Sequence, residues 1–357
     1  MELTKALALE AKKKGKLAFH DEYGIKFARF IADFRSIERG TIIIGNRVIY
    51  AYPHIKRIFT LERGIARNIK SETVYIEEKI DGYNTRVASV NGKIVAFSRG
   101  GFIDYFITEK VSESTSIRKF FSKFPQAIFC AEAIGNTPYT KPTKDFDIKI
   151  FVFDIATNNG YVPCSERYEL LRKFGIEDVP AIGKFQRINI KDINKIALAI
   201  LKAKKEGIVI KSDDRKEAIK YVTPYADISD IANNTRLLFD MPLGFYMQRV
   251  LRSAMFIKDF DLDHEHYAKQ LGEAFYNKLI DALQKLEKGE EISEEFEITI
   301  KDTNTWDMLL RQMSREVKIE KLFEKEENGK LRIRFKKIYR RTNKRLRELL
   351  NGKGVED

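Results

Sequence analysis

Residues 74–84 read VYIEEKIDGYN. The alternation of apolar and polar residues predicts a β-strand in which Tyr75, Glu77 and Lys79 point to one face of a sheet. The Asp81-Gly82 pair that follows favours a turn, so Lys79 is expected at the strand end, directed away from the sheet. A lysine before Asp-Gly also occurs in ordinary turns, so its meaning depends on the rest of the chain.

Five further segments place polar residues at predicted strand ends. They are Ser98-Arg99-Gly100-Gly101, Ala131-Glu132-Ala133-Ile134-Gly135, Phe151-Val152-Phe153-Asp154, Glu206-Gly207-Ile208-Val209-Ile210-Lys211 and Ala218-Ile219-Lys220-Tyr221-Val222. Asn91-Gly92 lies between the predicted strands RVASV and KIVAF and is a strong signal for a tight hairpin. Short strands joined by such turns predict antiparallel sheets.

Together with Lys79-Ile-Asp-Gly-Tyr-Asn84, this ordered set resembles the motifs of the covalent nucleotidyltransferases: DNA ligases, RNA ligases and mRNA capping enzymes. Asn84, the Glu-Ala-Ile-Gly form at Glu132 and the flanking segments are most similar to the archaeal homodimeric ATP-dependent RNA ligases. The resemblance implies an α+β fold. Its centre would be a nucleotidyltransferase (ATP-grasp-like ligase) core of twisted antiparallel sheets, with the ATP pocket between them.

Changes in residue composition and in hydrophobic periodicity divide the chain into four predicted domains. Residues 1–66 form a small α+β unit with an apolar hairpin turning at Gly45-Asn46, and 67–226 form the adenylyltransferase domain. Residues 227–289 have helical periodicity. Residues 290–357 form a basic α+β unit in which LRIRF is a predicted strand.

The resemblance implies roles for nine residues. Lys79 attacks the ATP α-phosphate, Glu77 helps recognise adenine, Arg99 and Glu132 contact the ribose hydroxyls, Phe153 stacks on adenine, Glu206 holds Mg²⁺ or Mn²⁺, Lys211 and Lys220 bind the α-phosphate, and Asn84 acts around the reacting phosphate or the RNA end. Ordinary roles stay open for several of them: core packing for Phe153, a turn at Glu132 or Glu206, and a surface ion pair for Arg99.

Physical chemistry supports a lysine nucleophile here. A lysine amine has a reference pKa of about 10.4, so its charged form must be disfavoured before it can attack. Nearby cations, which include Lys211, Lys220 and a bound divalent metal, would do this and would stabilise the charge on the α-phosphate. One departure concerns the last motif, which in many ligases is Lys-x-Lys. Here the pair is Lys220 and Val222, so a phosphate contact is missing or supplied elsewhere.

The charge of the chain predicts a polyanionic partner. The net charge is +13, and residues 330–353 hold eleven Lys or Arg with one acid, Glu348. We expect Arg332, Arg334, Arg340 and Arg341 to bind single-stranded RNA through its phosphates. The alternative is that these cations pair with acidic segments such as EKGEEISEEFE at 287–297.

The predicted activity is ATP-dependent joining, including circularisation, of 5′-phosphate and 3′-hydroxyl RNA ends through a lysyl-AMP and an adenylated 5′ end. A DNA ligase or another covalent nucleotidyltransferase is the first alternative, and a non-catalytic RNA-binding dimer is the second. A homodimer is expected through 227–289, where the helix His264–Lys288 has an apolar stripe. The members of the stripe are Tyr267, Leu271, Phe275, Leu279, Leu283 and Leu286.

The location of the protein is predicted from its cysteines and its hydropathy. Two cysteines and the absence of a signal peptide indicate the cytoplasm. No stretch of about 20 apolar residues predicts a membrane span. Abundant Lys, Glu and Ile with few Gln indicate a thermophile.

Overall fold

The computed structural model describes residues 3–242, 244–314 and 317–354. In chain order, its strands are β1 (Leu17–Glu22), β2 (Ile25–Phe30), β3 (Ile42–Ile44), β4 (Arg47–Ile49), β5 (Lys56–Arg57), β6 (Thr73–Lys79), β7 (Tyr83–Val90), β8 (Lys93–Ser98), β9 (Ile128–Gly135), β10 (Ile148–Thr157), β11 (Gly160–Tyr161), β12 (Ala181–Gln186), β13 (Gly207–Ser212), β14 (Ala218–Val222), β15 (Ser293–Ile300), β16 (Lys318–Glu327) and β17 (Lys330–Ile338). The helices are α1 (Lys5–Lys13), α2 (Leu61–Asn68), α3 (Tyr105–Glu113), α4 (Thr115–Lys123), α5 (Cys164–Phe174), α6 (Ile190–Lys202), α7 (Pro224–Asn234), α8 (Phe245–Asp259), α9 (His264–Glu287), α10 (Thr303–Met313) and α11 (Arg340–Leu350), with a 3₁₀ turn at Thr235–Leu237. The expected α+β architecture is confirmed.

Contacts divide the chain into two units, each built from separate stretches of sequence. Unit 1 comprises Met1–Ile55, Gly82–Gly135 and Ile148–Asp178. Unit 2 comprises Lys56–Asp81, Asn136–Asp147 and Val179–Asp357. The four sequence domains stay a prediction, because the units follow contacts rather than chain order.

Unit 1 contains two antiparallel sheets that share a core. Their strand orders are β1-β2-β3-β4 and β11-β10-β9-β7-β8. Ile25, Phe27 and Ile42 of the first sheet pack with Val95 and Phe97 of the second. The N-terminal sheet is therefore held to the larger sheet by apolar burial.

Both predicted hairpin turns of unit 1 are confirmed. Asn91 and Gly92 join β7 to β8 with φ angles of 50° and 77°. This pair of positive φ values is what a two-residue turn between twisted strands requires. Gly45 also has a positive φ, 57°, in the turn between β3 and β4. The β1–β2 hairpin was not predicted, although its Tyr23-Gly24 turn could have indicated it.

The main sheet of unit 2 has one apolar face and one charged face. Its strand order is β12-β6-β13-β14-β5. Ile76, Ile208 and Ile219 on one face pack against Ile65 of α2 and Ala197 of α6. Because successive side chains of a strand point to opposite faces, Glu77, Lys79 and Lys220 lie on the other face.

A fourth sheet, near the C-terminus, has the order β15-β17-β16. Its core includes the ring pair Trp306 and Phe335, whose centroids are 5.2 Å apart. The strand β16 was not predicted, since its sequence KIEKLFEKEE carries charges at most positions. It is an edge strand, where charged side chains remain in water and oppose aggregation.

The apolar stripe of α9 packs largely within its own chain. Tyr267, Leu271 and Phe275 contact a cluster that includes Ile231 of α7. Leu283 and Leu286 contact a second cluster. Packing in the core of its own unit therefore accounts for these residues. Four other apolar side chains of α8 and α9 are exposed: Met247 71%, Leu251 55%, Tyr276 71% and Ile280 48%.

Across 3–242, 244–314 and 317–354, every helix is too short or too polar to cross a membrane.

Candidate active site

The charged face of the unit 2 sheet brings four predicted site residues onto adjacent strands. Residue pairing aligns Gly207 with Lys79 and Val209 with Glu77. It also aligns Val209 with Lys220. Paired residues of neighbouring strands point to the same face, so Glu77, Lys79 and Lys220 share it. Lys211 lies on this face as well, opposite Tyr75.

Lys79 ends β6 beside Glu206, which directly precedes β13. The Lys79 Nζ lies 2.6 Å from the Glu206 Oε2, and the two side chains are 20% and 15% exposed. Gly207, the residue after Glu206, permits the close approach of β14, because a Cβ there would lie 2.2 Å from the Tyr221 carbonyl oxygen. The pair is therefore half-buried but accessible to a ligand.

The carboxyl group of Glu206 has an unusual affinity for protons. Burial raises the pKa of Glu206 to about 7, Lys79 lowers it, and Asp81 and Asp230 raise it further. Asp230 belongs to α7 and accepts a hydrogen bond of 2.8 Å from the Arg249 Nε of α8. Asp230 and Arg249 were not predicted as site residues, because helical periodicity does not indicate which polar side chains face a site.

Glu77 and Lys211 form a buried ion pair. The Lys211 Nζ lies 2.6 Å from the Glu77 Oε2, and both side chains are 1% exposed. The pair joins β6, which ends at Lys79, to β13, which begins directly after Glu206. The assignments of Glu77 to adenine and of Lys211 to the α-phosphate stay predictions.

A divalent metal would find few ligands already arranged here. In the described parts of the chain, no three His, Cys, Asp or Glu side chains cluster as a metal site. Mg²⁺ needs only one or two carboxylates when phosphates and water complete its shell. The carboxylate of Glu206 fits that requirement, so its assignment as a metal ligand stays a prediction.

Unit 1 holds the other predicted nucleotide-binding residues. Asn84 on β7 pairs directly with Glu132 on β9. Glu132 in turn pairs with Phe151 on β10. Phe153 is the extra residue of a β-bulge, since the register shifts between Val152 and Asp154. A bulge re-aims a side chain, and such irregularities are common beside active sites.

Tyr52 packs beside Phe153 within unit 1. Its ring centroid lies 4.9 Å from that of Tyr52, with the planes at 73°. The Tyr52 hydroxyl donates a 2.6 Å hydrogen bond to the Asp154 Oδ2. Tyr52 was not predicted, because no motif marks its position.

Arg99 follows β8 in a loop that the N-terminal sheet supports. Its guanidinium lies 2.9 Å from the His54 Nδ1. Gly40, with φ of 91°, approaches so closely that a Cβ would lie 2.1 Å from the Arg99 carbonyl oxygen. The buried Arg86 donates to the carbonyl oxygens of Gly40, 2.9 Å, and Ser98, 2.8 Å. Arg86 therefore ties the N-terminal residues to the loop that carries Arg99.

The predicted RNA-binding arginines have two different environments. Arg332 and Arg334, the β17 arginine pair, both donate to the carboxylate of Glu297, at 2.9 Å and 3.1 Å. The alternative of pairing with the acidic segment thus applies to them. Arg340 and Arg341, the α11 arginine pair, are exposed.

Arg340 of the α11 arginine pair lines a surface cleft. The cleft has a volume of about 450 Å³ and is lined by Arg340, Lys344, Arg347, Lys318, Glu291 and Glu348, among others. Four of these six side chains are basic, which suits a phosphate-bearing ligand.

Two family models match the chain. The model described as RNA ligase matches residues 72–222, which include every predicted catalytic residue. The model described as the C-terminal region of ligase Pab1020 matches residues 233–353.

Individual proteins are also similar over nearly the whole chain. An uncharacterized protein of Methanocaldococcus jannaschii, MJ0414, is 30% identical over 94% of this chain and 91% of its own length. A structure from Aquifex aeolicus, provisionally described as an ATP-dependent DNA ligase, is 31% identical with a TM-score of 0.92, covering 99% of this chain and 100% of that one. An archaeal ATP-dependent RNA ligase is 25% identical with a TM-score of 0.89, covering 98% and 96%.

The fold, the lysine site and the comparisons define an RNA ligase built on a nucleotidyltransferase-type core. The chain belongs to the ATP-dependent RNA ligase family, and its residues 233–353 match the C-terminal region of ligase Pab1020.

Proposed function

We propose that the protein joins a 5′-phosphate RNA end to a 3′-hydroxyl end in three steps. Lys79 forms a lysyl-AMP with release of pyrophosphate, the adenylate passes to the 5′-phosphate, and the 3′-hydroxyl then displaces AMP. The observation that carries the proposal is Lys79 at the end of β6, 2.6 Å from Glu206. A covalent intermediate divides one difficult reaction into easier steps.

The first step requires Lys79 to lose a proton. Glu206 is within hydrogen-bond distance of the Lys79 Nζ and can accept that proton as a general base. Lys220, on the same sheet face, supplies positive charge for the α-phosphate. In its deprotonated form, Glu206 would hold Mg²⁺ or Mn²⁺, and the bound metal would neutralise charge on the nucleotide phosphates.

Four residues of unit 1 would recognise ATP or act beside it. Arg99 and Glu132 would contact the ribose hydroxyls, and Phe153 would stack on adenine. Asn84, opposite Glu132, would act near the reacting phosphate or the RNA end. The β-bulge at Phe153 supports its role, since a bulge redirects that side chain.

The substrate and assembly are also proposals. Single-stranded RNA would bind along the α11 arginine pair and the cleft beside it, including RNA whose own ends are joined into a circle. A homodimer would form through the exposed side chains Met247, Leu251, Tyr276 and Ile280. A cytoplasmic location is supported by two buried free thiols, Cys130 and Cys164.

Labelling with ATP radioactive at the α-phosphate, in the presence of Mg²⁺, tests the proposal. The protein should acquire a covalent label, whereas Lys79→Ala should acquire none. Lys195→Ala is the matched control, because Lys195 is an exposed lysine of the same unit, 79% exposed. Labelling of Lys79→Ala would refute the assignment, and an unlabelled parent protein would favour a non-catalytic RNA-binding protein.

The nucleic acid itself is tested with matched RNA and DNA strands carrying 5′-phosphate and 3′-hydroxyl ends. RNA should be joined faster, and circles should be counted separately from joined pairs. Preferential joining of DNA would support the alternative of a DNA ligase, the description given to the Aquifex aeolicus protein.

A further inference from the structure

Arg57 is a basic residue of unit 2 that no motif includes. It belongs to the two-residue strand β5, which pairs in parallel with β14 and aligns Arg57 with Lys220. A backbone hydrogen bond of 3.0 Å from the Ile58 nitrogen to the Lys220 carbonyl oxygen maintains this register. Neighbouring strands are about 4.8 Å apart, so the two cationic side chains begin side by side.

Pairing also fixes the face to which Arg57 points. Ile58 is buried in the apolar core with Ile219. Alternation along the strand therefore directs Arg57 to the opposite, charged face, which carries Lys79 and Lys220. Val222 lies on this face too, at the position where a second lysine of the last motif would stand.

The guanidinium of Arg57 has hydrogen-bonding capacity to spare. Its Nε is buried and has no hydrogen-bond partner in the described part of the chain. Asp227, an acid whose negative charge acts on Arg57, already accepts hydrogen bonds from the Arg252 Nε at 3.0 Å and 3.2 Å. An unsatisfied buried donor costs free energy, which a bound anion would recover.

Electrostatics connects Arg57 to the nucleophile. Burial lowers the pKa of Arg57, the positive charge of Arg252 lowers it further, and the negative charges of Asp227 and Glu206 oppose the change. Glu206 is the residue that contacts Lys79. Arg57 thus lies close enough to the catalytic pair to interact with its charge, and it remains a cation because arginine holds its proton tightly.

We propose that Arg57 is a phosphate-binding residue that acts beside Lys220 and supplies the second cation of the last motif, where this chain has Val222. The inference rests on the proposed ligase function. Its ligand is a phosphate group, either the phosphates of ATP or the 5′-phosphate of RNA. A guanidinium suits this role, since its planar array of donors matches two phosphate oxygens.

Two substitutions separate charge from packing. Arg57→Gln removes the charge but keeps a polar side chain, and Arg57→Lys keeps the charge. Lys56→Ala is the matched control, because Lys56 is the exposed neighbour on the same strand, aligned with Ile219 rather than Lys220. For each full-length variant, three quantities are measured: the rate of lysyl-AMP formation against ATP concentration, the adenylation and sealing of 5′-phosphate RNA, and the melting temperature.

Arg57→Gln should slow one phosphate-dependent step by about 10- to 100-fold, the range for a hydrogen bond to a charged group. Arg57→Lys should lose less, and Lys56→Ala should behave like the parent. A loss in lysyl-AMP formation identifies the ATP phosphates as the ligand. Intact lysyl-AMP formation with slow transfer to RNA identifies the RNA 5′-phosphate.

Three results would overturn the inference. They are an Arg57→Gln variant within about twofold of the parent in every step, losses in both variants that accompany an equal fall in melting temperature, and failure of both to fold. The last two would make Arg57 structural. A parent protein that forms no lysyl-AMP would refute the proposed function itself, which distinguishes the two failures.

Discussion

Replacing Glu77 by Met while Lys211 remains should strongly destabilise unit 2. At their separation of 2.6 Å, an effective dielectric constant of about 20 gives a gross attraction of about 6 kcal/mol. Much of this offsets the cost of removing both charges from water. The single variant loses the attraction but keeps the buried ammonium group, so its free energy of unfolding should fall by about 3–5 kcal/mol.

The double variant Glu77→Met/Lys211→Met should be less destabilised than either single variant. Two apolar side chains of similar length can fill the same space without an uncompensated charge. Urea unfolding followed by circular dichroism gives the four free energies of a double-mutant cycle. A double variant as unstable as the sum of the two singles would refute the reasoning, because the residues would then act independently.

The same proteins test the predicted contact of Glu77 with adenine and of Lys211 with the α-phosphate. If the pair only joins β6 to β13, the folded double variant should still bind ATP. A folded double variant that no longer binds ATP would support the direct roles instead. Binding should be measured below the unfolding transition of each variant.

Four further outcomes are expected. Labelling by GTP should be weaker than by ATP, and equal labelling would move the protein toward the capping enzymes. Burial raises the pKa of Asp104 to about 6, above its ordinary value of 3.8, so the folded state binds this proton more tightly and stability falls as pH rises from 4 to 6. Asp104→Asn keeps the cap of α3 and should remove about 3 kcal/mol of that fall, as thermal unfolding at pH 4 and pH 8 would measure. Met247→Lys/Tyr276→Lys should convert the expected dimer to a monomer in light scattering, and a monomeric parent would reject the dimer. Replacing the α11 arginine pair by Ala should reduce the log–log salt slope of RNA affinity by about 1.4, and replacing the β17 arginine pair should reduce it less.

Sequence was most informative where local chemistry determines structure. The strand ending at Lys79 and the turn at Asn91-Gly92 follow from alternation and from the need for positive φ, and both are confirmed. The helices between residues 224 and 287 follow from periodicity. The order of the motifs also brought Lys79 and Glu206 together, although 127 residues separate them.

Sequence was less informative where partners are distant in the chain. That Glu77 and Lys211 pair with one another, or that Glu297 holds Arg332 and Arg334, depends on strand register, which the residues alone do not specify. The β-bulge at Phe153 also changes the direction expected from simple alternation. Arg57 was missed because β5 has only two residues and no apolar pattern.

The hydrogen bonds of Arg86 limit how far this enzyme can be shortened. A truncated version that starts near residue 67 would look attractive as a minimal ligase, because all family motifs would remain. However, this truncation would remove Gly40 and Tyr50, whose carbonyl oxygens accept hydrogen bonds from Arg86 at 2.9 Å and 2.8 Å. Arg86 is 1% exposed in the intact protein, so a buried charged group would keep the Ser98 carbonyl but lose these two acceptors. A smaller reagent therefore needs its N-terminal sheet, and any shortening is better attempted elsewhere.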